Sequence, residues 1–270
     1  MNFTQFAESH GLIIRHLVAN GKWQRVPTAD HPHKKNGAYA YDGERGAVQN
    51  WAYDTEPSFY RENAANVDYA KTKAIAKKVV EDKAQLNLAA AKKAGFMLHN
   101  ATLDNHDYLI RKGFEDMKGY VYENKLLVPM RINNALVGLQ TIDINGDKKF
   151  IYGQQTSMAT HTIGNKGINI LCEGYATGLS VFKAVRMCAI DCKVHICFSA
   201  GNMLKVSKTL KQGLTIADND KSLTGLKVAE QIGWDYWISK TEGNDFNDES
   251  KSKSYFKLSQ ELKKMLIKLL

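Results

Sequence analysis

The chain is poor in cysteine and has no long apolar run, and each shortage removes a class of protein. Only four cysteines occur in 270 residues, Cys172, Cys188, Cys192 and Cys197. None forms a Cys-x-x-Cys pair, and no matching His/Cys pair follows Cys188 and Cys192 at zinc-site distance. That pattern argues against a disulfide framework and a structural zinc, and all four read as reduced thiols of an intracellular protein. No stretch approaches 18 consecutive apolar residues, and the N-terminus lacks a basic-then-apolar signal pattern. A cytoplasmic protein with no membrane contact is therefore expected. The motif Gly-x-x-x-x-Gly-Lys-Ser/Thr is also missing, which excludes a fused P-loop helicase.

What is present is positive charge around a local concentration of acid. Lysine and arginine total 37 against 28 acidic residues, a net charge of +9 with a pI near 9.2. Five of the acids, Glu173, Asp218, Asp220, Asp245 and Asp248, fall at the ends of apolar runs between Gly167 and Asp248, so locally negative stretches sit within a positive chain. A basic protein with a focused acidic pocket suits a polyanion held near a bound cation, although solubility alone also calls for surface charge.

Between Gly167 and Asp248, carboxylates recur where apolar runs stop. Ile168 to Cys172 reads as a buried strand, followed by Glu173-Gly174 and a helix-compatible stretch from Leu179 to Arg186. Lys193 to Phe198 is another strand, followed by the small-residue turn Ser199-Ala-Gly-Asn202 before a helix beginning near Met203. That turn is compatible with a phosphate site or with a plain helix cap. Leu214 to Ala217 ends in Asp218-Asn-Asp220, with Gly225 close behind, and Asp235 to Ile238 leads to Gly243-Asn-Asp245-Phe-Asn-Asp248. Strands alternating with helices predict a parallel α/β sheet, and in such a sheet chemistry gathers outside the carboxyl ends of the strands. Glu173, Asp218, Asp220, Asp245 and Asp248 would meet at that edge. Crowded carboxylates stay ionised only beside positive charge, which a hard divalent cation such as magnesium provides. The turn can bring both members of Asp218-x-Asp220 onto one ion or divide them between two.

These residues resemble the Toprim domain shared by bacterial-type primases, topoisomerases and some nucleases. Cys-Glu173-Gly-Tyr-Ala-Thr-Gly, Phe198-Ser-Ala-Gly-Asn202, Ala-Asp218-Asn-Asp220 and Asp245-Phe-Asn-Asp248 are most similar to phage and plasmid primases. The resemblance implies a Toprim-type parallel sheet flanked by helices. It makes Glu173 a general acid/base or metal-organising group, Asp218 and Asp220 ligands of Mg2+ (or Mn2+), and Asp245 and Asp248 completing members. It also implies a DNA primase making short RNA primers on single-stranded DNA from nucleoside triphosphates, with any helicase a separate chain. Two other readings stay open: a Toprim metal-dependent nuclease, and a non-catalytic replication accessory that binds nucleic acid.

Four segments are expected. Residues 1–56 form a small β-rich unit, in which Phe3 and Phe6 start a helix that Gly11 ends. There Asn20-Gly21 predicts a hairpin of 13–19 with 23–26, and Asp42-Gly43 a second of 37–41 with 47–51. Trp23, Tyr39, Tyr41 and Trp51 alternate with Lys22, Arg25, Lys34, Lys35 and Arg45, a mixture that serves either base stacking or the core of a small sheet. Related primases often carry a zinc ribbon here; with no cysteine before residue 172, no zinc is expected. Residues 57–95 form a helical linker, with helix predicted from Ser58 to Lys93, where proline and glycine are absent and lysines abound. Residues 96–165 form a basic α+β subdomain with strands at 126–132, 136–144 and 149–152. By the resemblance this subdomain lines the template and nucleotide groove, with Arg131, Lys148 and Lys149 as phosphate contacts, Arg111 and Lys112 as helpers and Asn202 as a further candidate. Residues 166–270 form the Toprim-like domain, closed by an amphipathic helix through Tyr255, Leu258, Leu262 and Leu269.

Overall fold

A computed structural model describes residues 1–54, 56–62 and 69–270. The chain divides into two compact units, Met1–Gln85 and Leu86–Leu270. Among the described residues no helix is long and apolar enough to cross a membrane.

The first unit begins with α1 (Phe3–Ser9), which Asn2 and Gln5 start through a reciprocal capping box. Next come β1 (Gln24–Val26), β2 (Gly37–Tyr41), β3 (Arg45–Asn50) and β4 (Ser58–Arg61), one antiparallel sheet in that order. Phe3, Ala7, Leu12, Tyr39, Tyr41 and Val48 make its core, with the Phe3 ring stacked on Tyr41 at 4.3 Å. Gly46 leaves room for that ring, since a Cβ there would lie 2.1 Å from it. The Asp42-Gly43 hairpin forms as expected, its turn fixed by Asp42 Oδ1, which accepts from the Glu44 and Arg45 amides. The Asn20-Gly21 hairpin does not form. β1 pairs with β2 instead, and the preceding segment is held by Val18 donating to the Tyr39 hydroxyl and Gly21 donating to the Tyr41 carbonyl. Tyr39 and Tyr41 bring the core with them, so β2 is the stronger partner. The helix predicted from Ser58 is also corrected, because aromatic Phe59 and Tyr60 favour β4 and the helix α2 spans Tyr69–His99. The part of that prediction at 63–68 lies outside the described residues.

The second unit is mixed α/β with two sheets. The antiparallel one has the order β5 (Thr102–Asp104), β6 (Gly119–Tyr122), β7 (Lys125–Ile132), β8 (Ala135–Ile142), β9 (Lys148–Phe150), with α3 (Asp107–Arg111) between β5 and β6. Asn133-Asn134 makes the predicted two-residue turn, both residues with positive φ. Side chains alternate across β7. Leu127, with Leu139, packs on Ala94 and Met97 of α2, whereas Leu126 and Val128 join Tyr108, Leu109 and Phe114 in the main core.

That core continues without a break into the second sheet. Its strands are β10 (His161–Ile163), β11 (Ile168–Cys172), β12 (Cys192–Ile196), β13 (Gly213–Ala217) and β14 (Asp235–Ile238), in the order β10-β12-β11-β13-β14. All neighbours are parallel except β10. α4 (Tyr175–Arg186) and α8 (Tyr255–Leu266) pack in the main core, whereas α5 (Ala200–Ser207) and α6 (Thr224–Ile232) join Leu171 and Cys197 in a separate cluster. α7 (Phe246–Ser252) precedes α8. Gly178 brings α4 close to the sheet, since a Cβ there would meet the Ile196 side chain at 2.4 Å. The residues expected as a basic subdomain and as a parallel domain thus share one hydrophobic core. All four cysteines are free thiols.

Candidate active site

The strand order decides where the acids meet. From β11 the chain crosses to β12 on one side, and from β13 it crosses to β14 on the other. The crevice between the carboxyl ends of β11 and β13 is therefore a topological switch point, the place where open α/β sheets bind ligands. Glu173 follows β11 directly, and Asp218 follows β13 directly. Leu171 pairs with Thr215, so continuing the ladder sets Glu173 beside Ala217, on strands about 4.8 Å apart. Glu173 is held there by its carbonyl, which accepts the Phe198 amide at 2.9 Å.

Electrostatics follow from that crowding. Burial pushes the Asp218 carboxyl up to about 7, and Glu173, Asp245 and Asp220 push in the same direction against Lys148. Burial also raises Glu173, with Asp220 adding to the shift, while Lys148 and the Ala200 amide oppose it. Four carboxylates thus share one locality with a single lysine from the β8–β9 region. Asp218 Oδ1 is buried without a hydrogen-bond partner. Asp245 accepts from Thr177 Oγ1 at 3.2 Å and caps α7 by accepting the Asp248 amide at 2.8 Å. Asp220 accepts from Ser222 at 2.7 Å.

Asp248 adjoins Asp245, whose amide its Oδ2 accepts at 3.4 Å. Its carboxylate is 3.9 Å from Lys112 and 3.7 Å from Lys251, and it completes the cap of α7. Lys112 also supplies a carbonyl to Asn247, which donates in turn to Ser180, tying α3, α4 and α7 together. Arg111 flanks Tyr108, whose hydroxyl is raised by burial and by Asp245. Lys149 is exposed beside Lys148 on β9, and alternation aims the two side chains to opposite faces. Arg131 stands elsewhere, donating to the Asn134 carbonyl at 2.9 Å and lining a separate cavity of about 740 Å³ with His161 and His195. Asn202 is buried, and its amide accepts from Met158 N and donates to the carbonyls of Ala159 and Cys197. Those bonds make it a structural tie between α5 and the segment before β10. Asn202→Ala is expected to lower stability by about 2–3 kcal/mol by stranding those partners, measured by chemical denaturation.

Three further residues escaped sequence reasoning. Thr177 sits in the first turn of α4, where its hydroxyl reaches Asp245. Asn219, between the two aspartates, donates its side chain to the Ser239 carbonyl and its backbone amide to the Asn244 carbonyl, fixing the loop that carries Asp245. Glu249 is held down to about 2 by Lys253 and Ser239, and this buried network anchors α7. The turn propensity of asparagine was the available signal for Asn219, Thr177 stood within the Glu173 motif without a role of its own, and Glu249 offered no signal. Gly225 has a direct reason, since a Cβ there would lie 2.6 Å from the Asp218 carbonyl oxygen. Gly225→Val is therefore expected to destabilise the chain by about 1–3 kcal/mol and to displace Asp218. Thermal melts check the first effect and loss of magnesium-dependent stabilisation the second.

Among the described residues no group of three or more His, Cys, Asp or Glu side chains is arranged to hold a metal ion as it stands. No protein-family model and no curated protein matches the chain.

Proposed function

We propose that the chain is a Toprim-type DNA primase, synthesising RNA primers on single-stranded DNA. The observation that carries this reading is Asp218 at the switch-point crevice, its Oδ1 buried without a hydrogen-bond partner and its carboxyl raised by burial and by the charges of Glu173, Asp245 and Asp220. An orphaned carboxylate oxygen among mutually repelling acids fits a hard divalent cation, around which the other carboxylates would have to close. Asp218 and Asp220 would hold magnesium, with Asp245 completing the set, and Asp248 is left to Lys112 and Lys251. When bound, magnesium neutralises charge on the attacking and leaving oxygens of a displacement at phosphorus.

The remaining work falls to the chain's own groups. Glu173, its carboxyl raised by burial, is suited to accept the proton of the primer 3′ hydroxyl, since a base poised nearer neutrality transfers protons efficiently. Lys148 is the cation whose charge opposes the rise of Glu173 and Asp218, and it would bind a phosphate of the incoming nucleotide. Lys112, Arg111 and Lys149 supply positive charge on neighbouring elements. Arg131, lining another cavity, is not assigned to this step.

The test is incubation with single-stranded DNA, labelled ribonucleotides and magnesium or manganese, followed by gel electrophoresis. New oligoribonucleotides that disappear in Asp218→Ala support the reading. Shortened DNA identifies a nuclease, and retarded but unchanged DNA identifies a binding protein; either outcome overturns it.

A further inference from the structure

We infer that the first unit carries a binding site for single-stranded DNA, built on an arginine–tryptophan stack. Aromatics in this unit fall into two groups. Tyr39 and Tyr41 are buried in its core, whereas Trp51 is 58% exposed and Trp23 50% exposed. The core therefore accounts for Tyr39 and Tyr41 and includes neither tryptophan.

Trp51 is held ready for a ligand. The Arg25 guanidinium lies over its ring, 4.7 Å from the centroid. Arg25 is fixed in turn by donating through Nε (3.0 Å) and Nη2 (2.5 Å) to the Lys35 carbonyl. The Trp51 amide donates to the Asn36 carbonyl at 3.0 Å, and Gln49 donates to the Asp54 carbonyl across the following turn. By register Arg25 pairs with Ala38, which pairs in turn with Gln49, so the three share one row of the sheet. The exposed side chains of Arg25, Lys34 and Lys35 have no ion-pair partner among the described residues.

Clustered cations beside an exposed, rigid indole complement a polyanion that also presents flat apolar faces. Unpaired nucleotides have both properties, and a duplex buries its base faces where Trp51 cannot reach them. Arg25, Lys34 and Lys35 would meet phosphates while a base stacks on Trp51. Choosing DNA as the strand rests on the primase reading; the stacking site itself stands without catalysis.

The experiment measures binding of a fluorescein-labelled oligo-dT of about 20 nucleotides to the full chain by anisotropy, in EDTA and without nucleotide. Trp51→Ala is expected to weaken binding about tenfold and Trp51→Phe less than about threefold, because phenylalanine keeps a stacking face. Lys34→Ala with Lys35→Ala should reduce the slope of log affinity against log salt by about 1.4. Photo-crosslinking of a bromouracil-substituted strand to the unaltered protein should label the peptides containing Trp23 or Trp51. Unchanged affinity in folded Trp51→Ala, crosslinks confined to the second unit, or tighter binding of RNA or duplex of the same sequence would each overturn the proposal. Asp218→Asn separates the two readings, since it should stop synthesis yet bind the oligonucleotide as the unaltered chain does. Trp51-dependent binding without any synthesis defeats the primase reading alone.

Discussion

Glu173→Gln is expected to cut primer synthesis by about a thousandfold while leaving single-stranded DNA affinity within about twofold. Glutamine keeps the shape of the side chain and its hydrogen-bonding reach but cannot accept a proton as a carboxylate does. The ladder bond from Phe198 to the Glu173 carbonyl is backbone and survives the change. The substitution also removes one of the charges that raise Asp218, so the metal-free fold should be no less stable. Single-turnover rates with saturating DNA and nucleotide, together with melts in EDTA, check both halves. A loss of DNA binding equal to the loss of turnover would make Glu173 a contact residue instead of a proton acceptor.

Asp218→Asn is expected to act in opposite directions on function and on stability. Asp218 is raised to about 7 in the fold by burial and by three neighbouring carboxylates, from an ordinary value of 3.8. Between those values the folded chain holds a proton that the unfolded chain has released, so stability falls as pH rises through this window and levels off above about 7. Removing the charge relieves that penalty, by about 2 kcal/mol at pH 8 for a half-buried site open to some solvent. Metal-free Asp218→Asn should therefore melt about 5 °C higher than the unaltered chain. The same change replaces one carboxylate oxygen with an amide nitrogen and removes a ligand charge, so millimolar magnesium should stabilise the unaltered chain and leave the variant unmoved. Melting temperatures at pH 5 and pH 8, with and without magnesium, separate these effects. Equal magnesium stabilisation of both proteins would remove Asp218 from the ligand set.

How much of this was legible in the sequence differed between the two units. In the parallel sheet, buried strands read as short apolar runs, and the carboxylates at their ends were conspicuous. Ile168–Cys172 and Asp235–Ile238 were placed to the residue. The switch point itself was not legible, because strand order is set by long-range crossovers that leave no local mark. The Lys112–Asp248 pair was hidden for a similar reason, since only folding brings the two within 3.9 Å. In the first unit the Asn20-Gly21 signal was local and real, with Gly21 at positive φ, yet β2 offered β1 a larger buried surface and took the pairing. β6 and β10 were missed as well. β6 closes on β7 through Glu123-Asn124, both at positive φ, and glutamate rarely marks such a turn. β10 is three residues long and lacks a turn signal of its own.

The central claim is that carboxylates distant in the chain surround one divalent ion at the edge of β11 and β13. Iron(II) placed in that site, with ascorbate and peroxide, generates hydroxyl radicals that cut the backbone only where it approaches the ion. Cuts should appear together near Glu173, near Asp218 to Asp220 and near Asp245, fade with excess magnesium and vanish in Asp218→Asn. Cleavage at only one of these stretches, or a pattern that magnesium does not suppress, would contradict the shared site.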